Sequence, residues 1–463
     1  MANAPQQRPP APQGAASPSR PARDAASVLR ATGLPQLARL LGAGLLSLWD
    51  MLRPRRSGAR GPARREQLAG RVAERWVAAL GALKGPYAKL GQFAALRIDV
   101  LPAAATSALA SLRDRVPPIA FRRIRRIVEA EIGGPLEAHF ASFERSPLGA
   151  ASIAQVHRAT LHGGETVAVK VQYPWLKASL PADLAIIRLA FRLFARLTGR
   201  PDAAAMQLYR EFAAGLREEL DFEREARVAR EIADNLAGDD RVVVPEIFPA
   251  LSTQRVLTMR FHPAIGLADG EGLAQLGVVP RELLTVLARA YASQIFVDGL
   301  FHADPHPGNL FVLNEPTAAT APRLLFVDFG LSRRLDPTLR HELRQGLYAL
   351  LKRDLDAFLA GMDRMGMIAP GAHAGVRRAL ERMFERIAVG GGAFALASGE
   401  VLSLKDAAKQ LIQETPGLTL PTDLLLYAKT LSYVFSLGAD LDPEVDMMKL
   451  SLPYALRFVA EKA

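Results

Sequence analysis

The chain has 463 residues, of which 49% are hydrophobic and 23% charged, so it is long enough for two or three packed domains. It contains no cysteine, which excludes disulfide scaffolds, thiolate metal sites and cysteine nucleophiles. Its formal net charge is +11, but residues 1–65 supply +9 of it through eleven arginines and two aspartates. The rest of the chain is nearly neutral, so the charge does not indicate nucleic-acid binding by a folded domain.

Residues 1–65 form a basic leader rich in proline, alanine and serine, a composition that predicts disorder. Leucines between Leu34 and Leu52 recur close to helical spacing, so an amphipathic helix there could lie on a membrane interface or pack against the protein. The leader is poor in acidic residues, as organelle transit peptides are, and it lacks the start of a secretory signal. We expect a cytoplasmic, peripherally membrane-associated protein, or alternatively an organelle matrix protein whose transit peptide is removed.

After the leader, hydrophobic spacing predicts a helix over residues 67–97, broken at Gly85-Pro86, and a second helix over 118–131. Short β-like runs and long helices then alternate, with strands expected at 152–159, 166–172, 241–244 and 256–261 and helices at 182–197 and 205–236. Beyond Arg281 the pattern is mainly helical, and it includes a core helix that begins near Pro421.

This order of elements indicates an α+β protein with two lobes, because a small sheet-and-helix region precedes a larger helical one. Nucleotide is expected to bind between the lobes. The predicted division is a disordered leader, a helical extension, a mixed N-terminal lobe and a helical C-terminal lobe, over residues 1–65, 66–135, 136–262 and 263–463.

A phosphotransfer signature lies in the C-terminal half of the chain. His302, Asp304 and Asn309 reproduce the H-x-D-x-x-x-x-N spacing of kinases, and Asp328 precedes Phe-Gly after an apolar, strand-like run. In that arrangement Asp304 orients the accepting hydroxyl or water, whereas Asn309 and Asp328 are ligands of Mg²⁺. His302 is expected to brace the loop, and His306, between two prolines, is predicted to be a structural loop residue.

Lys170 ends a Val-Ala-Val-Lys run on a predicted strand, where a kinase places the lysine that contacts the α and β phosphates of ATP. Alone this pattern is weak, and an edge-strand lysine in water is the simpler interpretation. Together with the two aspartate motifs it favours a catalytic role. Its carboxylate partner should lie in the following acidic stretch, but helical spacing does not choose among Glu218, Asp221 and Glu225.

On these motifs the chain resembles the UbiB/AarF family of atypical kinases, which includes coenzyme-Q-linked proteins. Four further strings match that family, at residues 89–92 (Lys-Leu-Gly-Gln), 148–157 (Leu-Gly-Ala-Ala-Ser-Ile-Ala-Gln-Val-His), 219–221 (Glu-Leu-Asp) and 441–443 (Leu-Asp-Pro). The resemblance extends over about residues 70–455. It implies a bilobal protein-kinase-like fold with an N-terminal helical extension, and ATP and Mg²⁺ as cofactors.

The resemblance also implies which partners the carboxylates of the acidic stretch have. Glu225 would pair with Lys170. The remaining carboxylates would face the family-specific helix of the extension, so that an ammonium and an amide lie over the nucleotide and take the space that a protein substrate needs. The four residues of this expected contact are Lys89, Gln92, Glu219 and Asp221.

Typical kinases place several glycines in the loop over the phosphates, so that backbone N–H groups can approach the phosphates closely. Here Ala150, Ala151 and Ser152 occupy the corresponding loop, and the Cβ atoms of the two alanines restrict its conformations. We therefore expect ATP to be held differently, and to be hydrolysed or used on a small or lipid-like acceptor rather than on proteins. No Ala-Pro-Glu follows Asp328 to close a protein-docking segment.

Two features depart from the family pattern. Arg260 stands where the family usually has glutamate, and residues 262–265 (His-Pro-Ala-Ile) replace a small, glycine-containing hinge. We expect the contacts to adenine to differ accordingly.

The resemblance implies an atypical kinase or ATPase that supports ubiquinone or other prenyl-lipid metabolism at a membrane. Expected partners are ATP, an anionic or prenyl-lipid membrane surface and lipid-biosynthetic enzymes, with no nucleic acid. The alternatives are a pseudokinase scaffold, disfavoured by the intact lysine and aspartate motifs, and a small-molecule phosphotransferase, which would not predict the family-specific strings. The acceptor, the pathway and the oligomeric state are left open by the sequence.

Overall fold

The structure is a computed structural model that describes residues 85–96, 118–198, 201–314, 322–389 and 417–460, together with a few isolated positions. The leader, including the amphipathic helix expected between Leu34 and Leu52, lies almost wholly outside these ranges, as does most of the helix expected over 67–97. In the ranges that are described, no helix is both long and apolar enough to cross a membrane.

The N-terminal elements begin with three helices and then alternate between strands and helices. In chain order they are α1 (Pro86–Leu96), α2 (Phe121–Ile132), α3 (Leu136–His139), β1 (Phe140–Ala150), β2 (Ala154–Leu161), β3 (Thr166–Gln172), α4 (Pro174–Thr198), α5 (Asp202–Glu219), α6 (Phe222–Leu236), β4 (Val242–Val243) and β5 (Val256–Arg260). The expected β-runs at 152–159, 166–172, 241–244 and 256–261 all contain strands, although β2 begins two residues later than predicted.

The C-terminal elements are mainly helical. They are β6 (Ala264–Gly266), α7 (Gly270–Gln275), α8 (Pro280–Ala292), a π-helical turn (Ser293–Asp298), β7 (Leu300–Phe301), β8 (Leu310–Leu313), β9 (Leu324–Phe326), a 3₁₀ turn (Phe329–Leu331), β10 (Arg333–Arg334), α9 (Pro337–Lys352), α10 (Leu355–Arg364), α11 (His373–Val389), α12 (Thr422–Leu441) and α13 (Met447–Ala460).

Strands β1, β2, β3 and β5 form an antiparallel sheet in that order. The alternation in β3 sends Val167, Val169 and Val171, all fully buried, into a core shared with Ile124 of α2. Because successive side chains point to opposite faces, Lys170 lies on the face turned away from that core. The valine spacing therefore fixes both the packing of the sheet and the direction of the lysine.

A second sheet lies in the C-terminal half, with strand order β4-β9-β8-β6, and a two-stranded ladder joins β7 to β10. Strands β8 and β9 are antiparallel and buried, and the loops that carry the two aspartate motifs precede and follow them. Together with the helices around the two sheets, this arrangement confirms the predicted α+β class with two lobes.

The single helix predicted over 205–236 is wrong, because the structure has two helices that meet at Leu220 and Asp221. Asp221 is extended (φ −101°, ψ 92°), and its carboxylate accepts the backbone N–H of Arg224 at 3.0 Å. An aspartate that bonds the backbone in this way begins a new helix instead of continuing the old one. The break changes the direction of the chain within the acidic stretch at residues 218–225, so its carboxylates do not lie on one helix.

Candidate active site

Lys170 connects the N-terminal sheet to the C-terminal lobe. Its Nζ lies 2.8 and 3.0 Å from the two carboxylate oxygens of Glu225 on α6, and 2.8 Å from Oδ1 of Asp328. The ammonium also lies 5.0 Å from the ring centroid of Phe222. The break before α6 is what brings Glu225 to β3, because Asp221 redirects the chain one turn earlier.

The charges of this cluster set one another's ionisation. Burial opposes the charge on Lys170, but the carboxylates of Asp328 and Glu225 outweigh it and raise the pKa of the ammonium. Burial acts to raise the pKa of Asp328, yet Lys170 holds that pKa well below its usual range, with a further contribution from Lys89. Burial raises the pKa of Glu225, against the effect of Lys170. Lys170 and Asp328 are therefore both charged at neutral pH.

His302 holds the turn that presents Asp328. Its side chain is almost completely buried, and its Nε2 lies 3.1 Å from the carbonyl oxygen of Val327 and 3.0 Å from that of Asp328. Its Nδ1 lies 3.3 Å from the Tyr291 hydroxyl, and its backbone N–H donates to Gln294 at 2.9 Å. Asp328 has a φ of 63°, a left-handed conformation that non-glycine residues adopt only when their surroundings hold it.

Asp304 and Asn309 form the second half of the cluster. Asn309 Nδ2 donates to the carboxylate Oδ2 of Asp304 at 3.0 Å and to its backbone carbonyl at 3.2 Å. With the amide nitrogen used in this way, Oδ1 is the atom of Asn309 left to ligate a cation. The Val327 N–H donates to the Asn309 carbonyl at 3.0 Å, so the loop adjoins the turn that carries Asp328.

The loop between Asp304 and Asn309 is held by its own backbone. The His306 N–H donates to the Asp304 carbonyl at 2.7 Å, and the Asn309 N–H donates to the His306 carbonyl at 2.8 Å. The Gly308 N–H donates to His306 Nδ1 at 3.0 Å. These contacts are local to the loop, in agreement with a structural role for this histidine.

The alanine-rich loop connects β1 to β2 by a tight turn. The Ala151 N–H donates to the Ala154 carbonyl at 2.8 Å, so this amide is used inside the turn. Ala150 ends β1, and Ser152 is buried with no hydrogen-bond partner for its hydroxyl among the residues the structure describes. A buried hydroxyl without a partner is costly, which favours a polar ligand at this loop.

Lys89 on α1 forms an ion pair with Glu219, the last residue of α5, and both side chains are largely buried. The helix that carries Lys89 is anchored by Tyr87, whose hydroxyl donates to Asp183 of α4 at 2.8 Å. Gln92 lies one turn further along the same helix and is half-buried. The pairing of Lys89 with Glu219 places an ammonium close enough to Asp328 to lower its pKa.

Asp221 differs from the expectation that it faces Lys89 and Gln92. Its Oδ1 caps α6, and its Oδ2 lies 3.9 Å from Arg227. The physical reason is the helix break, since a capping carboxylate must stay close to the first amides of its own helix. Asp221 therefore shapes the site by directing α6 and not through the contact that the resemblance implied.

The two departures from the family pattern lie in different sheets: Arg260 ends β5 at the edge of the N-terminal sheet, whereas residues 262–265 lead into β6 of the second sheet. Arg260 pairs with Glu246, with nitrogen–oxygen distances of 2.5 and 3.0 Å. The next residue, Phe261, has the guanidinium of Arg158 5.7 Å from its ring centroid. Arg260 is paired with Val167 of β3, so it lies on the face of the sheet opposite to Lys170.

Sequence reasoning missed Lys429 and Arg224. Lys429 of α12 lies 3.4 Å from Oδ1 of Asp304, although in the sequence it only interrupts an apolar run. Arg224 donates to the carbonyls of Gly330 at 3.4 Å and Ser332 at 3.1 Å, and so fixes the segment after Asp328. The one available signal was a lone lysine within a helix expected to be core.

The residues present fit a magnesium nucleotide. Asp328 and Asn309 offer the hard oxygen donors that Mg²⁺ prefers, and the ammonium of Lys170 beside them suits phosphate oxygens. The described residues contain no group of three or more histidine or acidic side chains arranged for a metal. Mg²⁺ commonly takes one or two protein oxygens and completes its shell with substrate phosphates and waters.

The two lobes, the paired Lys170 and the Asp304, Asn309 and Asp328 cluster define an atypical kinase-like protein. The profile of the ABC1 atypical kinase-like domain matches residues 111–361, more than half of the chain. The chain therefore belongs to this family, which confirms the resemblance to the UbiB/AarF proteins.

Relatives agree with this assignment, and a solved structure shares the fold. Protein ACTIVITY OF BC1 COMPLEX KINASE 8, chloroplastic, from Arabidopsis thaliana is 32% identical over 404 residues, covering 81% of this chain and 52% of that protein. An uncharacterised Synechocystis protein is 30% identical over 381 residues, covering 81% and 63%. The chain thus spans between half and two thirds of the length of these relatives. The erythromycin complex of Rv3197 from Mycobacterium tuberculosis, 24% identical, has the same fold, with a TM-score of 0.55 over 85% of this chain and 98% of that one.

Proposed function

We propose that this protein binds Mg²⁺-ATP between its lobes and acts as an atypical kinase or ATPase. The observation that carries the proposal is the position of Lys170, whose ammonium contacts both Glu225 and Asp328. A lysine fixed by one carboxylate and set beside the aspartate of an Asp-Phe-Gly motif is the arrangement that protein kinases use for phosphoryl transfer.

Each residue has a part in the proposed reaction. Asp328 and Asn309 would hold Mg²⁺, which supplies charge stabilisation for the transferred phosphoryl group. Lys170 would bind phosphate oxygens, and Glu225 would keep it in place. Asp304, held by Asn309, would orient the attacking hydroxyl or water. Ala150, Ala151 and Ser152 would lie against the phosphates.

The acceptor is proposed to be water or a small or lipid-like molecule, with little activity on proteins. The ion pair of Lys89 with Glu219 supports this, because it joins the extension to the helices beside the metal site. The segment after Asp328 supports it too. That segment passes through a single 3₁₀ turn into β10, and Arg224 holds two of its carbonyls.

A role at a membrane, in ubiquinone or other prenyl-lipid metabolism, is proposed from the family and from one face of α4. Leu189 and Leu193 are about half exposed on that helix. Exposed arginines alternate with these leucines, and no acidic residue occurs between 184 and 198. Apolar and basic side chains on one exposed face suit an anionic lipid surface. We propose a peripheral location, or an organelle matrix, since two plant relatives are named as chloroplastic.

The test is ATP turnover with Mg²⁺ in the presence and absence of anionic liposomes, comparing wild type with Asp328→Asn. We expect a loss of about 100-fold or more in the variant, because a carboxylate ligand becomes a neutral amide. The matched control is Asp356→Asn on α10, a strongly exposed aspartate that pairs with Arg377 of α11, and this variant should behave as wild type. Equal rates in wild type and Asp328→Asn would contradict a catalytic role and favour the pseudokinase scaffold.

A further inference from the structure

Helix α12 packs directly against the loop that carries Asp304. The hydroxyl of Thr430, which is fully buried, lies 3.1 Å from the carbonyl oxygen of Ala303 and 2.9 Å from that of Leu426 in its own helix. One turn earlier, the ring of Tyr427 lies 6.1 Å from that of Phe301 in an edge-to-face arrangement. Two contacts from successive turns thus fix the register of α12 against the loop.

This register brings Lys429 to Asp304. The Nζ of Lys429 lies 3.4 Å from Oδ1 of Asp304, and about a quarter of each side chain is exposed. The same ammonium lies 5.4 Å from the ring centroid of Tyr433, one turn further along α12. A solvated lysine would extend away from the protein, whereas this one is held between a ring and a carboxylate.

The two oxygens of Asp304 therefore have different partners. Asn309 donates to Oδ2 at 3.0 Å, from within the loop, and Lys429 approaches Oδ1 from α12. Opposed donors of this kind fix the plane of a carboxylate, which determines where its free lone pairs point.

The loop has no cation of its own. Residues 302–309 read His-Ala-Asp-Pro-His-Pro-Gly-Asn, without lysine or arginine. We propose that Lys429 is a positioning residue, which supplies from the C-terminal helix the cation that orients Asp304 toward the phosphoryl acceptor. This inference rests on the proposed function, because it assigns Asp304 the task of orienting the acceptor.

The test compares the kcat and KM for ATP of Lys429→Met and Lys429→Arg with those of wild type. The methionine variant keeps the apolar stem and removes the charge, so kcat should fall by about 10- to 100-fold while KM for ATP changes by less than about twofold. The arginine variant keeps the charge and should recover kcat to within roughly threefold of wild type. A residue that only stabilises the helix would not separate kcat from KM in this way.

Lys352→Met is the matched control. The Nζ of Lys352 lies 5.8 Å from the ring centroid of Tyr348, one turn away, but this pair is on α9. The Lys352→Met variant should have the kcat of wild type. If Lys429→Met also has the kcat of wild type while Asp328→Asn is inactive, the inference is overturned and the proposed function stands. If Asp328→Asn is as active as wild type, both are overturned.

Melting temperature is measured for each variant. If Lys429→Met melts at a lower temperature than wild type, the kcat of Lys429→Arg decides between positioning by charge and a loss of stability. Recovery of kcat by Lys429→Arg supports positioning by charge, and a loss as large as that of the methionine variant contradicts it.

Discussion

The two sides of the proposed nucleotide site consist of different groups. The proposed catalytic floor, which we define as His302, Asp304, Asn309 and Asp328, lies next to the buried strands β8 and β9 and is held by hydrogen bonds to backbone carbonyls and by ion pairs with Lys170 and Lys429. The cover is the ion pair of Lys89 with Glu219 and the alanine-rich loop at Ala150, Ala151 and Ser152.

The floor and the cover therefore have different proposed roles, the floor in the reaction and the cover in access of the acceptor to the site. The floor contains the groups that we propose hold Mg²⁺-ATP and orient the acceptor, in the spacing that protein kinases use. The cover has an ion pair and a loop with alanines where typical kinases have glycines, and the Ala151 amide is used in the turn of that loop. We infer that the floor sets whether ATP reacts, and that the cover sets which acceptor can approach.

Removing the ammonium that contacts the floor should have the largest effect. Lys170→Met removes the ammonium that contacts Glu225 and Asp328, so turnover of ATP should fall by about 100- to 1,000-fold. Steady-state ATP hydrolysis with Mg²⁺ measures this. Lys177→Met, on an exposed position of α4, is the control and should keep the wild-type rate. Retention of activity by Lys170→Met would mean that phosphates are bound elsewhere.

Loosening the cover should have a smaller effect of the opposite sign. Lys89→Met removes the largely buried ion pair with Glu219, and a loss of about 1 kcal/mol or more would raise the population of molecules with α1 displaced from the site roughly fivefold or more. We expect phosphorylation of a generic protein substrate to rise by that order, while Asp328→Asn in the same background abolishes it. A fall in ATP turnover in Lys89→Met would instead show that this lysine takes part in the chemistry.

The smallest effect is expected at the strand that supports the cover. In β2, Gln155 Nε2 lies 2.9 Å from His157 Nε2, and His157 Nδ1 lies 2.8 Å from the Glu144 carbonyl. These partners require a neutral ring that accepts at Nε2 and donates at Nδ1. Burial lowers the pKa of His157 below its unfolded value of about 6.5.

Because the folded pKa of His157 is the lower one, its contribution to stability is complete above about pH 6.5 and is lost as the pH falls through the folded value. The melting temperature of wild type should thus exceed that of His157→Asn at about pH 7.5, and the difference should shrink by about 2 °C or more near pH 5.5. A pH-independent difference for His157→Asn would contradict a neutral buried ring.

Local patterns predicted the parts of the site that depend on short-range geometry. The valine alternation around Lys170 and the apolar run before Asp328 identified two strands, since strand side chains alternate regardless of what the rest of the chain does. The kinase spacing from His302 to Asn309 likewise lies within one loop.

Contacts between distant elements were not predictable in this way. The break at Asp221 competes with a long helical pattern on both sides, and only the capping bond to the Arg224 amide decides it. Lys429 reaches Asp304 because α12 packs on a loop more than a hundred residues earlier in the chain. No local periodicity contains that information.

The central claim is that Asp328 ligates the magnesium of a bound nucleotide. The most direct measurement is the affinity for a non-hydrolysable ATP analogue by calorimetry, with and without Mg²⁺, in wild type and in Asp328→Asn of equal melting temperature. Mg²⁺ should tighten binding by roughly tenfold or more in wild type and have little effect in the variant. The same dependence on Mg²⁺ in both proteins would contradict the account.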